Sequence, residues 1–304
     1  MMGVLQIISV MTSRKAIYLI LTLSALTVCS AQAQTDYEGY RLTWQEEFDY
    51  EGAPDPSVWN YEEGFVRNKE EQWYQPTNAC VRDGVLTITA RREKKPCPTY
   101  EPGSRDWRRQ RDSITLTSAC VITDGKRTFH FGRIEVRARL SGAWGSWPAI
   151  WLLGTARNVP GEAHCPWPRC GEVDIMEYYP RNNTAQLHAN ACWGGDKGSK
   201  WDSRAIDIAH WTAKDSLWMT RFHTWRLDWD KTAMRIYIDD ELLNEIDLTK
   251  TVNGDGTGDN PFHKPMYLLL NLAMGSTGGK IDETALPVRF EVDYVRYYER
   301  FNTP

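Results

Sequence analysis

Gly171-Glu172-Val173-Asp174-Ile175-Met176-Glu177-Tyr178 places three carboxylates in a short stretch that is otherwise apolar and β-prone. Side chains on a strand alternate faces, so Glu172 and Asp174 share one face and position 176 is due next on it. The third carboxylate arrives one residue late, at Glu177. One inserted residue, a β-bulge, would turn Glu177 onto the face of the other two, so the stretch reads as a bulged strand. The same short alternation recurs outward from it. Val85 to Ala90, Gly132 to Arg139, Thr224 to Trp229, Met234 to Ile238 and Phe290 to Tyr298 each read as a half-buried strand, and Met266 to Leu270 as a fully buried one. Turn residues separate them, as at Asp83-Gly84 and Asp239-Asp240. Helical periodicity is almost absent and no 20–50-residue repeat is present. The segment Asp196 to Trp218 is the least strand-like and is assigned to a helical turn or a long loop; Asn253 to Gly258 is a loop. The expectation is an all-β sandwich or barrel.

The chain has 304 residues and a formal net charge of −4. With no basic excess, a nucleic-acid partner is not expected. Fourteen Trp and 14 Tyr exceed what one core needs. They fit either a large aromatic-filled β core or a groove whose flat apolar rings stack on the C–H faces of sugars. At the N-terminus, Arg14 and Lys15 precede an apolar run from Ala16 to Val28 and an Ala31-Gln32-Ala33 cleavage pattern. Residues 1–33 are read as a signal peptide, leaving 34–304 as a single domain. The apolar run is too short for a comfortable transmembrane span. Cys29 offers a lipid-anchor alternative that Leu26-Thr27-Val28 fits poorly, because small residues are expected before such a cysteine. Export permits disulfides among Cys80, Cys97, Cys120, Cys165, Cys170 and Cys192, with pairings left open; Cys165 and Cys170 flank a loop they could pin.

Across the bulge, Glu172 and Glu177 are two pleats apart, roughly 13 Å between Cα atoms at ~3.3 Å per residue. Two inward-leaning Glu side chains then reach a carboxyl separation of about 5–5.5 Å, the geometry of a glycosidase that retains anomeric configuration. Glu172 is the candidate nucleophile and Glu177 the candidate acid/base, with Asp174 between them expected to hydrogen-bond Glu172. Like charges on one face should raise at least one pKa. A solvated acidic face is the plain alternative, but wet strands such as 132–139 mix signs, and this one carries acids alone. A calcium site would require more loop oxygens.

At these residues the chain resembles glycoside hydrolase family 16, whose bulged E-x-D-x-x-E pattern stands here at Glu172 to Glu177. Trp147-Pro148-Ala149-Ile150-Trp151-Leu152-Leu153-Gly154, Gly132 to Arg137, Asn68 to Tyr74, Phe222 to Trp225, Leu269 to Ala273 and Val292 to Arg296 extend the likeness over the mature chain. The resemblance implies a β-jelly-roll sandwich of two antiparallel sheets with a concave substrate cleft. It also implies retaining, endo-acting cleavage of β-linked glycans by a monomer, with no cofactor for catalysis. Carried over by position, Asn68, Trp147, Trp151, His188 and Asn271 fall in or beside the cleft. Trp144 and Trp193 are candidate stacking platforms, and Glu47 and Asp293 fall where relatives hold a structural calcium. The pattern is similar to the laminarinase branch and points to β-1,3- or β-1,3/1,4-glucan. However, Met274-Gly275-Ser276-Thr277-Gly278-Gly279 lacks the branch's Trp, and the loop from Pro96 to Asp112 brings Trp107 and several Arg. These departures leave open an endo-β-1,4-galactosidase acting on poly-N-acetyllactosamine in mucin-type O-glycans. A carbohydrate-binding sandwich without catalysis is the non-enzyme alternative.

Overall fold

The computed structural model describes residues 37–155 and 165–301. The expected signal peptide and Cys29 lie outside the described residues. Asp36–Pro304 forms one compact unit. Its strands are β1 (Tyr40–Glu46), β2 (Asn60–Glu62), β3 (Trp73–Tyr74), β4 (Ala79–Arg82), β5 (Val85–Pro96), β6 (Ser113–Ser118), β7 (Cys120–Ile122), β8 (Gly132–Leu140), β9 (Ser146–Gly154), β10 (Glu172–Arg181), β11 (Thr184–Gly194), β12 (Ser199–Asp207), β13 (His223–Trp229), β14 (Ala233–Ile238), β15 (Glu241–Asp247), β16 (Met266–Met274) and β17 (Val288–Arg300). They build two sheets in a jelly-roll sandwich. One runs β15-β14-β13-β8-β17-β5-β6-β3, with β1 on β17 and β4 on β5. The other, which carries the acidic strand, runs β12-β11-β10-β9-β16-β7-β2. No helix among the described residues is long and apolar enough to cross a membrane.

Tight turns fix the registers that matter. Asn182 and Asn183 join β10 to β11, and Asp239 and Asp240 join β14 to β15, all four at positive φ. Two consecutive left-handed residues make the two-residue hairpin loop whose twist matches the flanking strands, and Asn and Asp tolerate that conformation best. The interior between the sheets is apolar and tightly filled, with Trp225, Leu227 and Ile236 from one side meeting Val173, Ile175 and Met176 from the other. Burial on this face drives the pairing at about 25 cal/mol per Å² of apolar surface removed from water.

Two expectations are corrected here. The segment 196–218 contains a regular strand, β12, before its short helix Ala209–Thr212. As an edge strand with both faces largely wet it carries mostly polar side chains, which hides the alternation. Trp193 is not a stacking platform: it is 7% exposed, belongs to the core between the sheets and packs edge-on against Phe262. Glu172 pairs with Cys192 in the β10–β11 register, so Cys192 shares the acidic face and Trp193 faces the interior.

Candidate active site

The bulge is present. On β10, Asp174 pairs with Trp151 of β9, and the next pair is Met176 with Ile150, leaving Ile175 as the extra residue. Val173, Ile175 and Met176 all enter the core, the last two in succession. Glu172, Asp174 and Glu177 all line a cavity on the opposite face, of about 540 Å³. Their partners on β11, Cys192, Asn190 and His188, span two pleats where β10 spends one residue more. A regular strand would have sent Glu177 into the hydrophobic interior, where an ionised carboxylate is prohibitively costly.

Each carboxylate is held by donors from neighbouring elements. Trp167 Nε1 donates to Glu172 Oε2 at 2.9 Å. Trp147 Nε1, from β9, donates to Glu177 Oε1 at 2.8 Å. Asn190 Nδ2, directly across from Asp174 on β11, bridges Glu177 Oε2 at 3.0 Å and Asp174 Oδ2 at 3.2 Å. Asp174 also hydrogen-bonds Glu177, the candidate acid. Burial, then the charges of Glu177 and Glu172, push Asp174 well above the ordinary carboxylate range. Burial also raises Glu177, opposed by the hydrogen bonds from Trp147, Asp174 and Asn190. The two titrate as a pair that retains a shared proton above the usual carboxylate range.

The other predicted residues divide. Trp151 lies on the cleft side, its Nε1 donating to Asn271 Oδ1 at 2.7 Å, and Asn271 Nδ2 donates to Tyr74 at 3.0 Å. Asn68 lines the cavity and donates to Glu70 at 3.2 Å. His188 does not line it. Its ring is buried flat beneath Tyr179, centroids 3.7 Å apart, and burial lowers its pKa to about 4, so it is a neutral support for a cleft aromatic. Trp144 is exposed on the β8–β9 loop, outside the cavity lining. Glu47 and Asp293 are each committed to an arginine: Glu47 receives Arg296 at 2.7 and 2.9 Å, and Asp293 pairs with Arg137. No group of three or more metal-ligating side chains occurs among the described residues. The expected calcium is therefore unconfirmed.

Trp167, Trp201, Tyr179, Asn190, Arg67 and Arg108 also line the cavity and were not singled out beforehand. Trp167 and Trp201 stand at one end with ring centroids 6.4 Å apart. Trp147 and Tyr179 meet edge-on at 5.7 Å near Glu177. A trench with paired aromatic rings and a central carboxylate triplet is suited to gripping a sugar chain and cleaving within it.

The sequence profile of Glycosyl hydrolases family 16 matches residues 67–296. The chain belongs to glycoside hydrolase family 16. A beta-glucanase of Rhodothermus marinus is 33% identical over 294 residues, covering 94% of each chain. A keratan-sulfate endo-1,4-beta-galactosidase of Sphingobacterium multivorum is 30% identical over 91% of this chain, which spans 58% of that protein. The laminarinase of Rhodothermus marinus superposes with a TM-score of 0.68 at 33% identity, over 86% of this chain and 98% of that one. A structure solved in work on the endo-acting O-glycanases that prominent members of the human gut microbiota express to initiate mucin breakdown gives 0.76 at 32% identity, over 88% of this chain and 93% of that one. This family 16 chain is thus a glycoside hydrolase, and such hydrolases need no cofactor for catalysis.

Proposed function

We propose that this family 16 hydrolase is exported, loses residues 1–33, and acts as a monomeric, single-domain retaining endo-β-glycosidase on β-1,3- or β-1,3/1,4-glucan. The observation that carries the reading is the convergence of Glu172, Asp174 and Glu177 in one aromatic-lined cleft. Glu172 attacks the anomeric carbon as the glycosidic C–O bond breaks, and Glu177 gives its proton to the departing oxygen. Water then enters, Glu177 takes one of its protons, and the ester to Glu172 is cleaved, which restores both groups. Trp147 and Asn190 donate to Glu177 and stabilise the carboxylate it becomes. Burial keeps the acid protonated, and the hydrogen bond from Asp174 tempers that rise and steadies the carboxylate left after proton transfer. Asp174→Ala removes that hydrogen bond. The basic limb of the kcat/KM–pH profile is therefore expected to move to higher pH; a limb that stays or falls speaks against this role.

The glucan assignment rests on the beta-glucanase and laminarinase relatives. A second reading, endo-β-1,4-galactosidase action on poly-N-acetyllactosamine of O-glycans, is favoured by the higher TM-score to the O-glycanase structure and by the Trp-free loop at 274–279. Parallel digestion of laminarin, mixed-linkage glucan and mucin glycans separates the two. Glucan oligosaccharides are the expected products, and release only of galactose-terminated glycans would overturn the glucan assignment.

A further inference from the structure

The loop 97–112 is a built structure. Cys97 N donates to Asp112 O and Glu101 N to Arg109 O, both at 2.9 Å, and Asp106 caps the turn Trp107–Arg109. Trp107 packs near Phe65, and Arg111 lies 4.5 Å over the Phe65 ring while donating to Glu71 O. The loop is thereby bolted to the segment that follows β2, at the far edge of the cleft sheet, four strands from β10. Its Arg108 reaches the cleft lining beside Val66, Arg67 and Asn68. Three contacts fix that guanidinium: Nε donates to Val66 O at 2.9 Å, Nη1 to Asp106 Oδ1 at 3.2 Å, and the group lies 5.1 Å over the Trp107 ring. No described residue accepts from Nη2.

We propose that Arg108 is a specificity-determining residue that donates through Nη2 to a neutral oxygen of a glycosyl unit bound at this remote end of the cleft. The inference rests on the endo-glycosidase reading, since only a multi-unit substrate extends from β10 to this edge. A neutral acceptor is favoured over a sulfate or carboxylate because the positive charge here is already balanced. Asp106 pairs with Arg108, and Glu62 pairs with the neighbouring Arg67. A fixed guanidinium with one unused nitrogen offers hydrogen bonding without an uncompensated charge.

Arg108→Met retains the stem against Trp107 and removes the donors. On oligosaccharides long enough to reach residues 66–68, kcat/KM is expected to fall about tenfold, through KM with kcat unchanged, as for loss of a charged hydrogen bond. The shortest hydrolysed oligosaccharides should be unaffected. Calorimetric affinity for the long oligosaccharides, measured in a Glu172→Gln background, should fall by the same factor. An equal loss at every length would reduce Arg108 to loop packing, and no loss at any length would overturn the proposal outright. A wild-type preference for sulfated over neutral oligosaccharides that Arg108→Met abolishes would overturn the neutral acceptor. Failure of the wild type to hydrolyse any of these substrates would strike the glycosidase reading instead, with the binding measurement still deciding for or against Arg108.

Discussion

Glu172→Gln is expected to lower kcat by about 10⁴-fold or more, the scale seen when a nucleophile is removed. Substrate affinity and melting temperature should be retained. Gln keeps a side-chain carbonyl for the Trp167 Nε1 bond and fills the same volume, so the expected loss is chemical rather than structural. A smaller variant sharpens the test. Glu172→Ala opens room on the nucleophile's face, and azide with an activated β-aryl glycoside should then yield the α-glycosyl azide by one displacement. Wild-type-like turnover in Glu172→Gln, or azide rescue that gives the β-azide, would exclude Glu172 as nucleophile.

Glu177→Gln should show a different pattern. Loss of general acid catalysis costs about 10²–10⁴-fold on natural glycosidic bonds. Aryl glycosides with good leaving groups need no proton, so their first step should be nearly normal and the glycosyl-enzyme should accumulate. Stability should move the other way. Glu177 has a raised folded-state pKa, so between its unfolded and folded values the native state binds more protons and stability falls as pH rises. Glu177→Gln removes that penalty. It should melt a few °C above wild type near pH 7, for about 1 kcal/mol, with the difference vanishing below the unfolded pKa, where both carry a neutral group. A variant less stable than wild type at neutral pH would contradict the buried, proton-retaining environment derived for Glu177.

The fold and the centre of the site were legible because both follow from local rules. Alternation marks β8, β13, β14 and β17, and the late arrival of Glu177 marks the bulge within a single strand. What escaped depends on pairings between distant segments. Trp193 looked like a platform until the Glu172–Cys192 register put it on the opposite face. Trp201 sits on a polar edge strand that carries no alternation to read. Asn190 matters because it lies across from Asp174, and Trp167 because its loop returns it to Glu172. Arg108 joined the cleft through a bond to Val66, 42 residues away in sequence. The ion pairs of Glu47 and Asp293 escaped for the same reason, since nothing near either residue announces that Arg296 and Arg137 will pair with them.

The rings show how the tryptophan excess is shared. Trp59, Trp225 and Trp229 fill the interior, while Trp147, Trp151, Trp167 and Trp201 line the cleft. Trp147 and Trp167 each line the cleft and also donate an N–H to a carboxylate.

Covalent trapping tests the bulged carboxylate site most directly. A 2-deoxy-2-fluoro β-glycoside with an activated leaving group should inactivate the enzyme with one glycosyl unit per chain, and peptide mass mapping should place that unit on Glu172. A label on Asp174 or Glu177, or turnover of the reagent to α-configured product with no covalent adduct, would contradict the account.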